Sequence, residues 1–364
     1  MAENPDAASL KFADLLSQRK WESYEQFVSE APGFYQQELE EDIKREEGLR
    51  EKIRKDLLLH KFEVKSYRDQ LGEAEKLLFS GRVIAIDGTV SKFKTLSGLR
   101  CQIGVVAVNY FNDMVRKAYF ISEASLRNEE SEVLEIIKNR EQRNRLLSDM
   151  VVRALMLYRE REVAMRSEYL ESFRMLHGPL LPFELMTGLG RLRALEATLG
   201  ILQSVAADPK CFSIISASTH DDYLTLGMAL EPGEYMRDPN FSLGDEIAEN
   251  KDFMVAEKWR ESEFERVKGF LRTFADKIHI GIIRVSGHPY VFYAHKDTFD
   301  LAVAIIARDS LLQKEKGFPL LVDYADTLCS EFFPPGDFTG QLLYKLAQEG
   351  HFLSEISERA LRQK

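Results

Sequence analysis

The pattern of hydrophobic and polar positions changes near residue 80. Before it, segments such as QQELEEDIKREEGLREKIRKDLLLHKFEV mix Glu, Lys and Arg with Leu, and no proline occurs between Pro32 and Pro179. Helices are therefore expected over this part of the chain. The charge run from Glu38 to Lys55 is predicted to be a solvated helical face, with a partner-binding coiled-coil arm as the alternative.

From residue 82 onward, short apolar and β-branched runs alternate with Gly, Asn or Asp. RVIAID, LRCQIGVVAVNYF and VRKAYFIS follow one another closely and predict three strands in a meander. Helices are expected over 131–173, 189–205 and 300–312. CFSIISAS, IHIGIIRV and PYVFYAH predict further strands, and residues 231–250 form a polar, poorly periodic insertion.

Meandering strands followed by helices that alternate with further strands are typical of an α/β sheet of mixed direction covered by helices. This order suits a ribonuclease-H-like core with helical N-terminal and C-terminal extensions. The predicted domains are a helical region over residues 1–80 that serves as a dimer or partner arm, a core domain over 81–345, and a helical tail over 346–364.

Composition excludes several classes of protein. The 364 residues are 45% hydrophobic, which is enough for one large or two ordinary domains. No apolar run approaches the ~20 residues that cross a bilayer, and the N-terminus lacks the order of a secretory signal. Cys101, Cys211 and Cys329 have neither metal-ligand spacing nor an even count, which indicates a cytoplasmic protein. The net charge of −10 argues against charge-driven adhesion to nucleic acid, although a local basic groove is compatible with it.

An acid stands where the first predicted core strand ends. RVIAIDGT passes from apolar residues to Asp87, then to Gly88 and a hydroxyl. Asp-Gly between strands is a strong signal for a hairpin turn, which is the simpler interpretation. The alternative is a metal ligand, because a strand-end acid followed by Gly projects into a cleft while the backbone turns away.

Four motifs in this order resemble those of the NurA nuclease family. IAIDGT is followed by GLRCQIGVVAV, then by MLHGPLLP some ninety residues on, and finally by GFPLLVDYAD. The resemblance covers roughly residues 80–345, the predicted core domain. It implies a ribonuclease-H-like fold, a manganese-dependent nuclease acting on DNA ends and single strands, with magnesium as the alternative metal, and a homodimer. It also implies a hexameric HerA-type translocase, an ATPase, as partner in DNA-end resection.

The resemblance also implies site residues. Asp87 matches the first acid of the family. The second acid belongs to the long helix before the third motif, where Glu160 and Glu162 each continue an apolar stripe. The separation from the next motif favours Glu160, and the alternative for both is a solvated, charged helix turn.

Two further positions depart from the family pattern. Where the family has Asp-Gly-Pro-Leu, this chain has His177 before the same Gly-Pro-Leu. Where the family has a tyrosine and a histidine eight residues later, this chain has Phe318 and Asp326. The family's Asp and His have thus exchanged places, so that three carboxylates and one imidazole are retained as catalytic and metal-binding residues. Loss of the site is the competing interpretation.

Such a ligand set suits metal-assisted hydrolysis of a phosphodiester. Carboxylates bind hard cations through oxygen, and His177 biases the set towards manganese over magnesium. Lys92, Lys94 and Arg100 follow the first acid and are expected to contact phosphates of DNA. The alternative for these three is an exposed loop whose basic residues serve solubility.

Two classes of function stay open. The first is a metal-dependent DNA nuclease that acts with a HerA-type ATPase in DNA end processing, repair or antiviral defence. The second is a catalytically degenerate NurA-like subunit that serves as a docking or DNA-clamping partner of the ATPase. The two classes differ in whether His177 and Asp326 lie close enough to Asp87 for the three side chains to bind one metal ion.

Overall fold

The structure is a computed structural model of the chain. It describes residues 40, 42–95, 98–111, 113–126, 147–216, 221–249, 254 and 259–350. The chain forms two compact units, residues 1–53 and 54–364. In the first unit residues 42–53 are helical, and the rest of the predicted N-terminal arm before residue 40 lies outside the described residues. The predicted tail also lies outside them after residue 350, and the boundaries between the three predicted domains stay predictions.

The strands of the second unit form one mixed sheet. They are β1 (Glu63–Ser66), β2 (Val83–Thr95), β3 (Gly98–Val108), β4 (Met114–Ser122), β5 (Phe173–His177), β6 (Cys211–Ile215), β7 (Glu234–Arg237), β8 (Ile278–Arg284) and β9 (Pro289–His295). Their order across the sheet is β1-β7-β8-β9-β6-β5-β2-β3-β4. The predicted mixed α/β architecture is therefore confirmed for the described part of the chain.

Helices connect these strands and cover both faces of the sheet. They are α1 (Leu71–Leu78), α2 (Asp149–Ala164), α3 (Phe183–Met186), α4 (Leu195–Ala207), α5 (Asp221–Met228), α6 (Leu243–Glu249), α7 (Glu261–Thr273), α8 (Phe299–Ser310), α9 (Leu320–Phe332) and α10 (Pro335–Gln348). A π-helical turn, Arg54–Leu58, and a single helical turn, Leu59–Lys61, precede β1. No helix among the described residues has the length and apolar character to cross a membrane.

The hydrophobic core lies mainly between the sheet and helices α1, α8 and α9. The opposite face of β2 and β3 is covered by α2. That helix begins at a capped turn, in which the Val151 N–H donates to the Ser148 hydroxyl at 3.3 Å. Since successive residues of a strand point to opposite faces, neighbouring positions of β2 face α9 and α2 in turn.

A step in the sheet positions the candidate site. β2, β3 and β4 form the predicted antiparallel meander, and β5 and β6 extend it in parallel from β2. The parallel register ends with Ile86 beside Leu176, and β5 itself ends one residue later at His177, whereas β2 continues to Thr95. Beyond the end of β5, side chains from both faces of the sheet can therefore meet at the edge of β2.

Two local predictions at the first motif and the long helix are wrong. Asp87 and Gly88 form no hairpin turn and no strand end, because both continue β2 and pair with Val106 and Val105 of β3. The helix expected to reach Phe173 ends at Ala164, and Phe173 instead begins β5. Residues 131–146 of that predicted helix lie outside the described residues.

The polar segment from residue 231 to 250 also differs from its prediction. It contains β7, which extends the sheet beside β8, and the short helix α6. Tyr235 and Met236 of β7 are buried, and Leu243 of α6 is also buried. The charged residues between them conceal this apolar pattern, because the strand is only four residues long.

Candidate active site

Asp87 lies at the step where β5 ends, and its carboxylate faces α9. The side chain of Asp326 forms a hydrogen bond with the side chain of Asp87. One helical turn further along α9, the buried Cys329 thiol donates to the Asp87 backbone carbonyl at 3.2 Å. Residues three apart share one helix face, so α9 contacts both the side chain and the backbone of Asp87.

The position of Asp326 beside Asp87 changes the ionisation of the Asp326 carboxyl group. Burial, and then the charge and hydrogen bond of Asp87, raise the pKa of Asp326. Carboxyl groups within hydrogen-bond distance cannot both be ionised cheaply, so they share a proton or bind a cation. The Asp87–Asp326 pair thus has the electrostatics of a cation site or of an acid pair.

His177 joins the pair from the end of β5. Its Nδ1 lies 3.3 Å from Asp87 Oδ1, and its Nε2 lies 2.9 Å from the Ser216 hydroxyl oxygen. The tautomer protonated on Nδ1 donates to Asp87 and accepts from Ser216. The ring also meets Phe318 edge-on, with 5.9 Å between centroids. Burial lowers the pKa of His177, but the hydrogen bond and charge of Asp87 outweigh it, so the net pKa is raised.

Glu160 approaches from α2, on the other face of β2. A Cβ atom built on Gly88 would lie 2.6 Å from Glu160 Oε1 and 3.0 Å from Met156 Cγ. The glycine after Asp87 is therefore required for the close approach of α2, not for a turn. Glu162 points elsewhere, because it binds Arg159 at 2.8 Å and accepts from Tyr119 at 3.2 Å. Of the two candidates, Glu160 is the one beside Asp87.

Glu160 is held by its sequence neighbour Arg161, which is fully buried. Arg161 Nη1 donates to Glu160 Oε2 at 2.9 Å, and the same guanidinium donates to the backbone carbonyls of Pro179 and Leu180. It therefore ties α2 to the Gly-Pro-Leu segment that follows His177. Burial raises the pKa of Glu160 to about 7 against the opposing charge of Arg161, and the charge of Asp87 raises it further.

Four of the predicted site residues thus lie around the same part of β2, with Glu160 on the opposite face from the other three. Asp87 contacts Asp326 and His177 directly, and its charge acts on Glu160. Three carboxylates and one imidazole are donors that manganese and magnesium accept. In the described part of the chain, however, no three His, Cys, Asp or Glu side chains are placed to hold a metal ion together. The donor types suit a divalent cation, whereas the hydrogen-bonded pairs are not arranged around a common centre.

The three predicted phosphate contacts lie away from this cluster. Lys92 is five residues beyond Asp87 on β2, or about 17 Å at the usual rise of a strand. Its ammonium group is paired with Asp149 at 2.6 Å. Lys94 lies further along β2, and Arg100 lies on β3 opposite Phe93. That these three residues contact DNA stays a prediction. Any phosphates that they contact would lie distant from Asp87.

Sequence reasoning missed several residues that support the cluster. Arg161 shares a buried helix face with Ala154, Leu157 and Ala164, a pattern that marks a buried position despite the charge. Asp309 of α8 is buried and accepts from the Leu321 N–H at 2.9 Å, so it caps the helix that carries Asp326. Ser216 and Cys329 had no recognisable signal, because only the tertiary structure brings them to His177 and Asp87.

Gly88→Ala is expected to lower the free energy of unfolding by about 1–3 kcal/mol, because the added methyl group overlaps Glu160 and Met156. Without this overlap, alanine in a strand would be favoured over glycine. The matched control is Gly200→Ala in α4, where a Cβ atom meets nothing within 4 Å and the change should stabilise by about 0.5–1 kcal/mol. Urea unfolding measures both changes, and equal effects would show that α2 does not depend on Gly88.

The fold and the cluster describe a mixed α/β protein with an acidic group at a step of its sheet. No protein-family model and no curated protein matches the chain. Similar solved structures include the NurA nuclease from Sulfolobus solfataricus, with a TM-score of 0.46 and 10% identity over 80% of this chain and 96% of that one. A structure of NurA bound to dAMP and manganese has a TM-score of 0.40 and 10% identity over 71% of this chain and 90% of that one. These structures carry the name of the family that the motifs resemble.

Proposed function

We propose that this chain is a NurA-family nuclease with a ribonuclease-H-like core that hydrolyses DNA with the help of a divalent cation. The observation that carries the proposal is the contact of His177 and Asp326 with Asp87, with Glu160 close enough for the charge of Asp87 to act on it. The motif resemblance implies these four residues from the sequence, and they come from four different elements of the fold. Their proximity across more than half the chain supports a shared site.

The cluster would attract a cation because it concentrates negative charge. Burial raises the pKa of Glu160, and burial together with Asp87 raises the pKa of Asp326. Asp87 and Asp326 would hold manganese, or magnesium, with Glu160 on the opposite side of β2. A bound divalent cation supplies an activated water and stabilises charge on the attacked phosphate.

Two side chains hold the carboxylates of the proposed site in place. Arg161 fixes the Glu160 carboxylate, and His177 orients Asp87 through Nδ1. His177 becomes a metal ligand in this proposal only by releasing one of its two hydrogen bonds. Phe318, in place of the family's tyrosine, contributes a ring against His177 but no hydroxyl.

The wider activity follows from the motif resemblance. We propose that the substrates are DNA ends and single strands, and that the chain forms a homodimer that acts with a HerA-type hexameric ATPase. Its setting would be DNA end resection, in repair or in antiviral defence, in the cytoplasm. The predicted arm before residue 81 is the part assigned to dimer or partner contacts.

The test is digestion of end-labelled duplex and single-stranded DNA with manganese or magnesium, alone and with the cognate ATPase. Asp87→Asn should reduce the cleavage rate by roughly 1,000-fold or more, as expected for a residue of the reaction site. Asp337→Asn, an exposed acid in the first turn of α10, is the matched control and should cleave at the wild-type rate. Equal cleavage by wild type and Asp87→Asn would refute the nuclease proposal.

A second candidate is a catalytically degenerate subunit that clamps DNA or docks the ATPase. It is favoured by the hydrogen bonds at both ring nitrogens of His177 and by the lack of a ready metal-binding group among the described residues. Binding of manganese separates the two candidates. A degenerate subunit would bind DNA or the ATPase, yet would show neither manganese binding nor cleavage.

A further inference from the structure

A short loop between α3 and α4 has an unusual backbone. Leu189 and Arg193 have φ angles of 60° and 50°, in the left-handed region that residues other than glycine rarely adopt. Gly188 and Gly190 beside them have the same sign of φ. We call residues 187–194 the left-handed loop. Side chains are kept in such a backbone only where the surroundings impose it, which often happens at ligand sites.

The surroundings of the left-handed loop are rigid. The Ala194 N–H donates to the Gly188 carbonyl at 2.8 Å, and the Arg193 N–H donates to the Gly190 carbonyl at 3.2 Å. Leu189 is buried and anchors the loop in the protein interior. Arg193, by contrast, is exposed. The loop therefore presents Arg193 to solvent on a fixed backbone.

The left-handed loop belongs to the same edge of the sheet as the acidic cluster. The chain leaves β5 at His177, forms α3, and returns through α4 to the start of β6, which is parallel to β5. An ion pair of 3.1 Å between Arg153 and Glu184 holds α3 against α2. The loop thus follows the carboxyl end of β5, the edge at which α/β sheets bind their ligands. A Cβ atom built on Gly178, at the same edge, would meet nothing within 4 Å, so there is open space beside His177.

The surroundings of Arg193 differ from those of the arginines on the neighbouring helix α2. Each arginine of α2 is already engaged by a carboxylate, Arg153 by Glu184, Arg159 by Glu162 and Arg161 by Glu160. The Arg193 side chain, in contrast, makes no hydrogen bond or ion pair with any other described residue. An unneutralised cation near the three carboxylates would favour the approach of a polyanionic strand.

We propose that the left-handed loop binds a backbone phosphate of the DNA strand through the guanidinium of Arg193, and so positions that strand across the acidic cluster. This inference rests on the proposed nuclease function and assigns its substrate contact to Arg193. The planar guanidinium binds two oxygens of one phosphate in parallel, which a lysine ammonium group cannot do. A fixed backbone preserves that geometry.

The test measures DNA binding without cleavage, in the full chain carrying Asp87→Asn. The anisotropy of a fluorescein-labelled oligothymidylate is titrated at several salt concentrations in the presence of manganese. Adding Arg193→Asn removes the charge with a residue that tolerates the left-handed region. Affinity should fall about tenfold, as for loss of a charged hydrogen bond, and the slope of log affinity against log salt should fall by about 0.7.

Two further variants make the result specific. Arg193→Lys should keep the slope of log affinity against log salt but bind more weakly. It keeps the positive charge but loses the planar guanidinium that binds two phosphate oxygens. Arg272→Gln, an exposed arginine in the last turn of α7, should change neither quantity. Thermal unfolding checks that each variant is folded.

The outcomes separate this inference from the function on which it rests. Unchanged affinity and slope in Arg193→Asn, with DNA still bound by the parent chain, would overturn the role of Arg193 and leave the nuclease proposal intact. A parent chain that binds no DNA, together with a wild type that cleaves none, would overturn both.

Discussion

Exchanging His177 and Asp326 together is expected to preserve more DNA cleavage than either substitution alone. The two side chains both contact Asp87, and the charge of each acts on the other. His177→Asp leaves four carboxylates without an imidazole, and Asp326→His leaves two imidazoles and two carboxylates. Only the double variant retains one imidazole and three carboxylates in the cluster.

The measurement is the rate of manganese-dependent cleavage by wild type, both single variants and the double variant. Each single should lose activity by roughly tenfold or more, and the double should recover part of that loss, since residues in contact couple by up to about 3 kcal/mol. Asp337→His, which makes the same substitution on exposed α10, should have no effect. Additive losses in the double variant would mean that the two residues act independently.

Arg161→Leu is expected to lower the free energy of unfolding by about 3–5 kcal/mol, because it leaves the Glu160 carboxylate buried without its partner. The carbonyls of Pro179 and Leu180 lose their donor in the same change. Both effects act at the connection between α2 and the segment after His177. Urea denaturation at neutral pH measures the loss.

Two variants control this result. Arg159→Leu removes the neighbouring surface pair with Glu162 and should cost at most about 1 kcal/mol, because water screens that pair. Adding Glu160→Gln to Arg161→Leu should recover part of the loss, because it removes the unpaired buried charge. If Arg161→Leu were no more destabilising than Arg159→Leu, the buried pair would not hold α2 in place.

The sequence by itself determined those strands and helices whose hydrophobic residues repeat with the spacing of a strand or a helix. The meander of β2 to β4, strands β6, β8 and β9 and helix α8 follow from local alternation and helical spacing, and the structure has each of them. The choice of Asp87, Glu160, His177 and Asp326 came from motif order and helix spacing, and the fold brings His177 and Asp326 to Asp87, with Glu160 on the other face of β2. Their roles in metal binding and catalysis stay predictions until cleavage and manganese binding are measured.

Only the tertiary structure decided what Gly88 does. Locally, Asp-Gly favours a turn, but pairing with β3 along eleven residues outweighs that preference and continues β2 through it. Gly88 then makes room for Glu160, a contact that joins residues 72 positions apart and leaves no local trace. The hydrogen bonds of Ser216 and Cys329 to the cluster are of the same kind, because they depend on which strands and helices become neighbours. A sequence pattern predicts which face of each strand or helix is buried. Which element contacts that face depends on the packing of the whole sheet.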